Sequence, residues 1–71
     1  MKFILEIELG NEEMIDGVDL AEKLHEVAGK VGDRFGAKPI SDDNTIKALG
    51  GVMYSIADDN GNTVGKWSIK N

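Results

Sequence analysis

Asn60-Gly61 stands between two alternating apolar runs, Val52-Met-Tyr-Ser-Ile-Ala57 and Val64-Gly-Lys-Trp-Ser-Ile69, and nothing else in the chain restricts its fold as much. The dipeptide is the strongest short-range hairpin signal, because both central residues of a type I′ turn need positive φ and Asn and Gly tolerate it best. With these two as the turn, Asp59 faces Asn62, Ala57 faces Val64, Ile56 faces Gly65, Tyr54 faces Trp67 and Val52 faces Ile69. One face then holds Val52, Tyr54, Ile56, Gly65, Trp67 and Ile69, with the one Tyr opposite the one Trp. A cross-strand aromatic pair of this kind belongs on a core-facing surface.

Residues 2–9 also alternate at period two, which predicts a strand with Phe3, Leu5, Ile7 and Leu9 turned inward. Downstream, Asp16 is the favoured helix N-cap because Ile15 and Leu20 then form a hydrophobic staple; Asp19 with Glu22 is the competing start. Leu20, Leu24, Val27, Ala28, Val31 and Phe35 recur at helical spacing and predict a core-facing stripe. Gly29 and Gly32 interrupt it at a cost of about 1 kcal/mol each. They reflect either close approach to the sheet beside Trp67 or simple tolerance, and Gly36 is a natural stop.

Residues 36–51 form the least regular part and contain the one Pro. So long a structureless connection is uncommon in a compact domain. Either Ser41 or Asp42 caps a short helical turn through Ile46 and Leu49, or the segment is a mobile loop; Ile40, Ile46 and Leu49 favour docking on the core. The whole predicts one small α+β domain over 1–71, ordered β-α-β-β. Its three-stranded antiparallel sheet takes the order β1-β3-β2, with one helix packed on one face.

Several kinds of chemistry find little footing here. There is no Cys, hence no disulfide, thiol nucleophile or thiolate metal site. His25-Glu26 opens like a zincin motif, but Gly29 stands where the second His is needed. Asp58, Asn60 and Asn62 share the spacing of an EF-hand loop until Thr63 replaces its Gly and Ile69 its bidentate Glu. Gly29, Gly32 and Gly36 are spaced wrongly for a dinucleotide or phosphate loop. The expectation is a protein without catalytic residues, metal or cofactor. Thirteen acidic against eight basic residues give a charge of −5, which disfavours direct nucleic-acid binding. No apolar run approaches the roughly 20 residues of a membrane span, and the alternating N-terminus is unlike a signal peptide, so the expected location is the cytoplasm.

Two surfaces are candidates for binding a protein partner. One is an acidic ridge of Glu12, Glu13, Asp16, Asp19, Glu22 and Glu26, interrupted by Lys23. The other is the outward sheet face, where alternation places Ile4, Met53, Val64 and Lys66 among Glu6, Glu8, Ser55, Ala57 and Ser68.

Three stretches, Lys2-Phe-Ile-Leu-Glu-Ile-Glu-Leu9, Ala21-Glu-Lys-Leu-His-Glu-Val-Ala28 and Asp59-Asn-Gly-Asn-Thr-Val-Gly-Lys-Trp67, resemble a diffuse group of small bacteriophage and prophage βαββ proteins. The closing D-N-G-N-x-V-G-x-W hairpin is the distinctive element, and the insert over 36–51 departs from the compact members. The resemblance implies a phage or mobile-element origin and no enzymatic activity. The expected function is that of an acidic module that binds and modulates or inhibits a host or phage macromolecule, anti-CRISPR-like anti-defence being one form. A structural or accessory homodimer, joined through the open sheet face or an edge strand, is the alternative.

Overall fold

The computed structural model describes residues 1–10 and 16–71. In chain order these form β1 (Lys2–Ile7), α1 (Gly17–Phe35), a 3₁₀ turn (Ile40–Asp42), α2 (Asn44–Leu49), β2 (Gly51–Ala57) and β3 (Thr63–Lys70). The sheet has the expected order β1-β3-β2 and is antiparallel throughout. β1 is shorter than its alternation suggests: it ends at Ile7, and Leu9 is exposed.

Asp16 starts α1. Its carboxylate accepts from the N–H groups of Val18 and Asp19 at 3.0 Å, and the Asp19 side chain accepts in return from the Asp16 N–H. The two candidate caps are thus partners in one capping box. The staple residue Ile15 lies outside the described residues. Gly36 closes the helix with φ 64°, a conformation that disfavours a side chain.

From Gly51 to Ile56 the hairpin pairs as its sequence predicts, including Val52 with Ile69, Tyr54 with Trp67 and Ile56 with Gly65. The turn itself differs. Only Gly61 takes positive φ, at 84°; Gly61 N–H donates to the Asp58 carbonyl at 3.0 Å, and Asp58 N–H to the Asn62 carbonyl at 2.8 Å. The Asp58 side chain also accepts from the N–H groups of Asn60 and Asn62 at 2.9 Å. This is a three-residue loop with one left-handed Gly instead of a type I′ turn. Ala57 consequently faces Thr63, and a bulge between Ile56 and Ala57 restores the register. The extra residue, Val64, is turned into the core at 3% exposure, which corrects its assignment to the outward face.

Trp67, 2% exposed, is the centre of that core. Tyr54 stacks on it at 4.5 Å between centroids, Phe3 tilts against it at 5.8 Å, and Phe35 meets it edge-on at 6.2 Å. Val27, Ile46, Ile56, Val64 and Ile69 complete the buried cluster. The Trp67 indole N–H has no hydrogen-bond partner among the described residues, a cost of about 1–3 kcal/mol that the packing must exceed.

Helix α1 is rotated from its expected phase. Leu24 is 42% exposed and Ala28 is exposed, whereas Lys23 is buried beside Val27. Lys23 can take a core position because its methylene stem packs on apolar surface while its ammonium donates to the Ala57 carbonyl at 2.9 Å and to Glu26 at 2.8 Å. The insert over 36–51 is mostly ordered structure, but its cap is Asp43 rather than Ser41 or Asp42, and only Ile40 and Ile46 dock. Leu49 points out at 76% exposure.

The glycines divide sharply. A Cβ on Gly65 would collide with the Glu6 carbonyl of β1, so close strand approach requires Gly there. A Cβ on Gly29 or Gly32 meets nothing within 4 Å, which removes close approach as the reason for either. Gly65→Ala is expected to destabilise the chain by about 1–3 kcal/mol, and Gly29→Ala to stabilise it by about 0.5–1 kcal/mol. Urea unfolding of the two variants checks both signs.

Candidate functional site

The densest polar constellation joins the end of α1 to the start of α2. Arg34, in the last turn of α1, donates from Nη1 and Nη2 to the two Asp43 carboxylate oxygens at 2.6 and 3.2 Å, and from Nε to the Tyr54 hydroxyl at 2.6 Å. Its guanidinium also lies 4.8 Å from the Phe35 ring centroid. Asp43 meanwhile accepts from the N–H groups of Thr45 and Ile46 at 3.0 and 3.1 Å and so caps α2. Arg34 keeps its positive charge throughout the accessible pH range, since the Asp43 and Tyr54 hydrogen bonds raise its pKa further. The hydrogen bond from Arg34 holds the Asp43 carboxyl below the ordinary Asp value; partial desolvation opposes this, and the Ile46 N–H assists it.

An open concavity of about 360 Å³ adjoins this group, lined by Asp33, Phe35, Lys38, Asp42 and Asn44 as well as Arg34 and Asp43. Arg34 and Asp43 are engaged with each other, Arg34 also with the Tyr54 hydroxyl and Asp43 with the backbone of α2, which fits them to hold two helices and a strand together. Neither residue is singled out by motif spacing. Sequence alone points to Ser41 or Asp42 as the cap and passes over Asp43, and Arg34 gives only the signal of a basic residue near a helix C-terminus.

Of the acidic ridge, Glu12 and Glu13 lie outside the described residues. Asp16 and Asp19 are committed to the capping box, and Glu26 to Lys23. The Lys23 hydrogen bond lowers the Glu26 pKa, while the same interaction raises that of Lys23 against the effect of its burial. Glu22 is exposed on the same side of α1. Local structure therefore absorbs most of the described ridge.

The outward sheet face keeps a different set from the one alternation assigns. Ile4 and Met53 flank Ser68 on the central strand, at 36% and 64% exposure, and Ser68 is buried between them. Lys66 stands opposite Glu6 and Ser55, its ammonium 4.0 Å from the Glu6 carboxylate. Val64 has left this face. Beyond Met53, a shallow hollow of about 320 Å³ is lined by Leu49, Val52, Met53, Ser68 and Ile69. The result is a short strip across the strands in which the apolar Ile4 and Met53 flank Ser68, while Leu49 is exposed in the hollow at the end of the sheet.

The Asp43 hydrogen bonds imply a specific acid response. A carboxylate whose folded pKa is depressed stabilises the fold fully above its unfolded value near 3.9, and this stabilisation is lost as pH falls through the folded value. The melting temperature of the native chain should therefore fall more steeply between about pH 5 and pH 2 than that of Asp43→Asn, the two converging at the acid end. Asp43→Ala, which removes the cap as well as the ion pair, should melt below Asp43→Asn at neutral pH. Thermal denaturation followed by circular dichroism reads both comparisons. Comparison of the chain with protein-family models, with curated sequences and with solved structures returns no match.

Proposed function

We propose that this chain is a non-enzymatic binding protein of phage or mobile-element type, which docks on a host or phage protein in the bacterial cytoplasm and modulates or inhibits it. The observation that carries the reading is the pair Ile4 and Met53, large apolar side chains exposed on the side of the sheet away from the core, with the exposed Leu49 lining the hollow beside Met53. Exposed apolar groups gathered on a rigid surface are the usual anchor of a protein interface, and the few polar groups around them supply orientation. A charge of −5 favours a basic partner surface and speeds encounter with it. Competition for a nucleic-acid-binding site on a defence nuclease is one form of such inhibition. The acidic ridge ranks second as a working surface, because Asp16, Asp19 and Glu26 already have structural roles.

The test is capture from bacterial lysate by the immobilised chain, with Met53→Glu and Glu22→Lys as matched probes. Both side chains are exposed, so both variants should fold, which circular dichroism verifies. The native chain is expected to capture a protein that Met53→Glu retains about tenfold less well, the scale expected when one anchoring side chain is removed, while Glu22→Lys retains it. The opposite pattern would move the working surface to the ridge. Failure of the native chain to retain any protein above an unrelated acidic control would end the binding reading.

A further inference from the structure

We infer that β1 is a self-pairing edge: two copies of this chain join antiparallel through β1, centred on Ile4, into one continuous six-stranded sheet. The inference is independent of the partner proposed above and needs no partner for its test. In an antiparallel ladder alternate residues turn their N–H and C=O to the same side. Glu8 N–H donates to the Val64 carbonyl at 2.7 Å, so the even residues of β1 face β3, and Phe3, Leu5 and Ile7 direct their main-chain groups to the free edge. No described residue meets those groups. The opposite edge of the sheet is guarded, for Lys23 Nζ holds the Ala57 carbonyl of β2 and α2 packs against the same strand.

Charge and side-chain pattern select one register. With Ile4 opposite Ile4 of the second copy, Lys2 faces Glu6 and Glu6 faces Lys2, while Phe3 faces Leu5 on the helix side. A shift of two residues in one direction sets Glu6 against Ile4, and in the other sets Lys2 against Ile4, each placing a charge on an apolar side chain. Within one chain Lys2 stands opposite Lys70, an unfavourable like-charge pair, and Glu6 of the second copy relieves it. Phe3, still 49% exposed although it touches Trp67, gains the Leu5 side chain as cover. Charged residues on an edge ordinarily discourage pairing. Here Lys2 and Glu6 lie two positions either side of Ile4 with opposite signs, so the register centred on Ile4 pairs both charges and leaves neither against an apolar side chain, which the shifted registers do not.

Sedimentation equilibrium and amide hydrogen exchange on the full chain test the inference. The expected result is a concentration-dependent dimer in which the Phe3 and Leu5 amides gain protection as the dimer forms. Glu6→Lys should weaken association about tenfold or more by opposing Lys2 of the second copy, and Lys2→Glu/Glu6→Lys should regain most of it. Circular dichroism confirms that each variant is folded; if Glu6→Lys is not, the exchange pattern of the native chain decides alone. A strict monomer at about 0.5 mM, where even weak pairing populates a dimer, overturns the inference. So does a dimer in which the Phe3 and Leu5 amides exchange freely, or one whose mass a folded Glu6→Lys leaves unchanged.

Discussion

The Tyr54–Trp67 stack is the interaction on which the other elements depend. Trp67 lies on the central strand, so a single indole meets Phe3 from β1, Tyr54 from β2 and Phe35 from α1. Stacking fixes the plane of the Tyr54 ring and with it the position of the hydroxyl. Arg34 of α1 is held by that hydroxyl and, through its other nitrogens, aligns Asp43 at the start of α2. Asp43 then caps the helix that delivers Ile46 back to the core at 1% exposure. An apolar interaction and a charged one are thus joined through one amphipathic side chain. A six-residue helix has little stability of its own, and this linkage supplies what its length cannot.

What the sequence made legible follows the same hierarchy. The β-α-β-β order, the strand order and the Tyr54–Trp67 register all rest on period-two alternation around a Gly-containing turn, a pattern with few competing solutions. The turn's interior was less determined, since Asn-Gly serves a type I′ turn and a three-residue loop with left-handed Gly equally well. That choice displaces the pairing by one residue, and the bulge that repairs it carries Val64 from the outer face to the inner. The helix phase misled for another reason. Leu24 and Lys23 lie about 100° apart, and apolar spacing favours Leu24. Two long cations decide otherwise: Lys23 reaches the Ala57 carbonyl and Arg34 reaches Tyr54, and both lie on the sheet side of the helix. Periodicity counts a lysine as polar and misses that its stem can fill a core.

The candidate surfaces were legible as composition but not as use. Glu and Asp residues along one helix read as a ridge, yet a carboxylate at a helix N-terminus has a local task, and Asp16 and Asp19 perform it. The outer face was drawn by alternation alone, which holds wherever the ladder is regular. Ile4 and Met53 sit in its regular part and kept their assignment; Val64 sits at the irregularity and did not. Asp43, the residue that organises the insert, gave no signal beyond its type, because its side-chain partner Arg34 lies on another helix and is itself positioned by the still more distant Tyr54.

The shape of the outer strip connects docking with self-pairing. Because Val64 has turned inward, the large apolar residues on this face, Met53 and Ile4, lie in one row across the strands on either side of Ser68 rather than spreading along them. A row perpendicular to the strands is lengthened when the sheet gains strands. Pairing about Ile4 would continue it through Ile4, Ser68 and Met53 of the second copy, doubling the strip without altering either fold. A partner large enough to span both halves would bind the pair more tightly than the single chain and, by linkage, stabilise the pairing to the same extent. The single bulge at the end of the hairpin therefore shapes more than the local register: on the outer sheet face it leaves the exposed apolar side chains, Ile4 and Met53, in a row across the strands, the direction in which added strands would extend it.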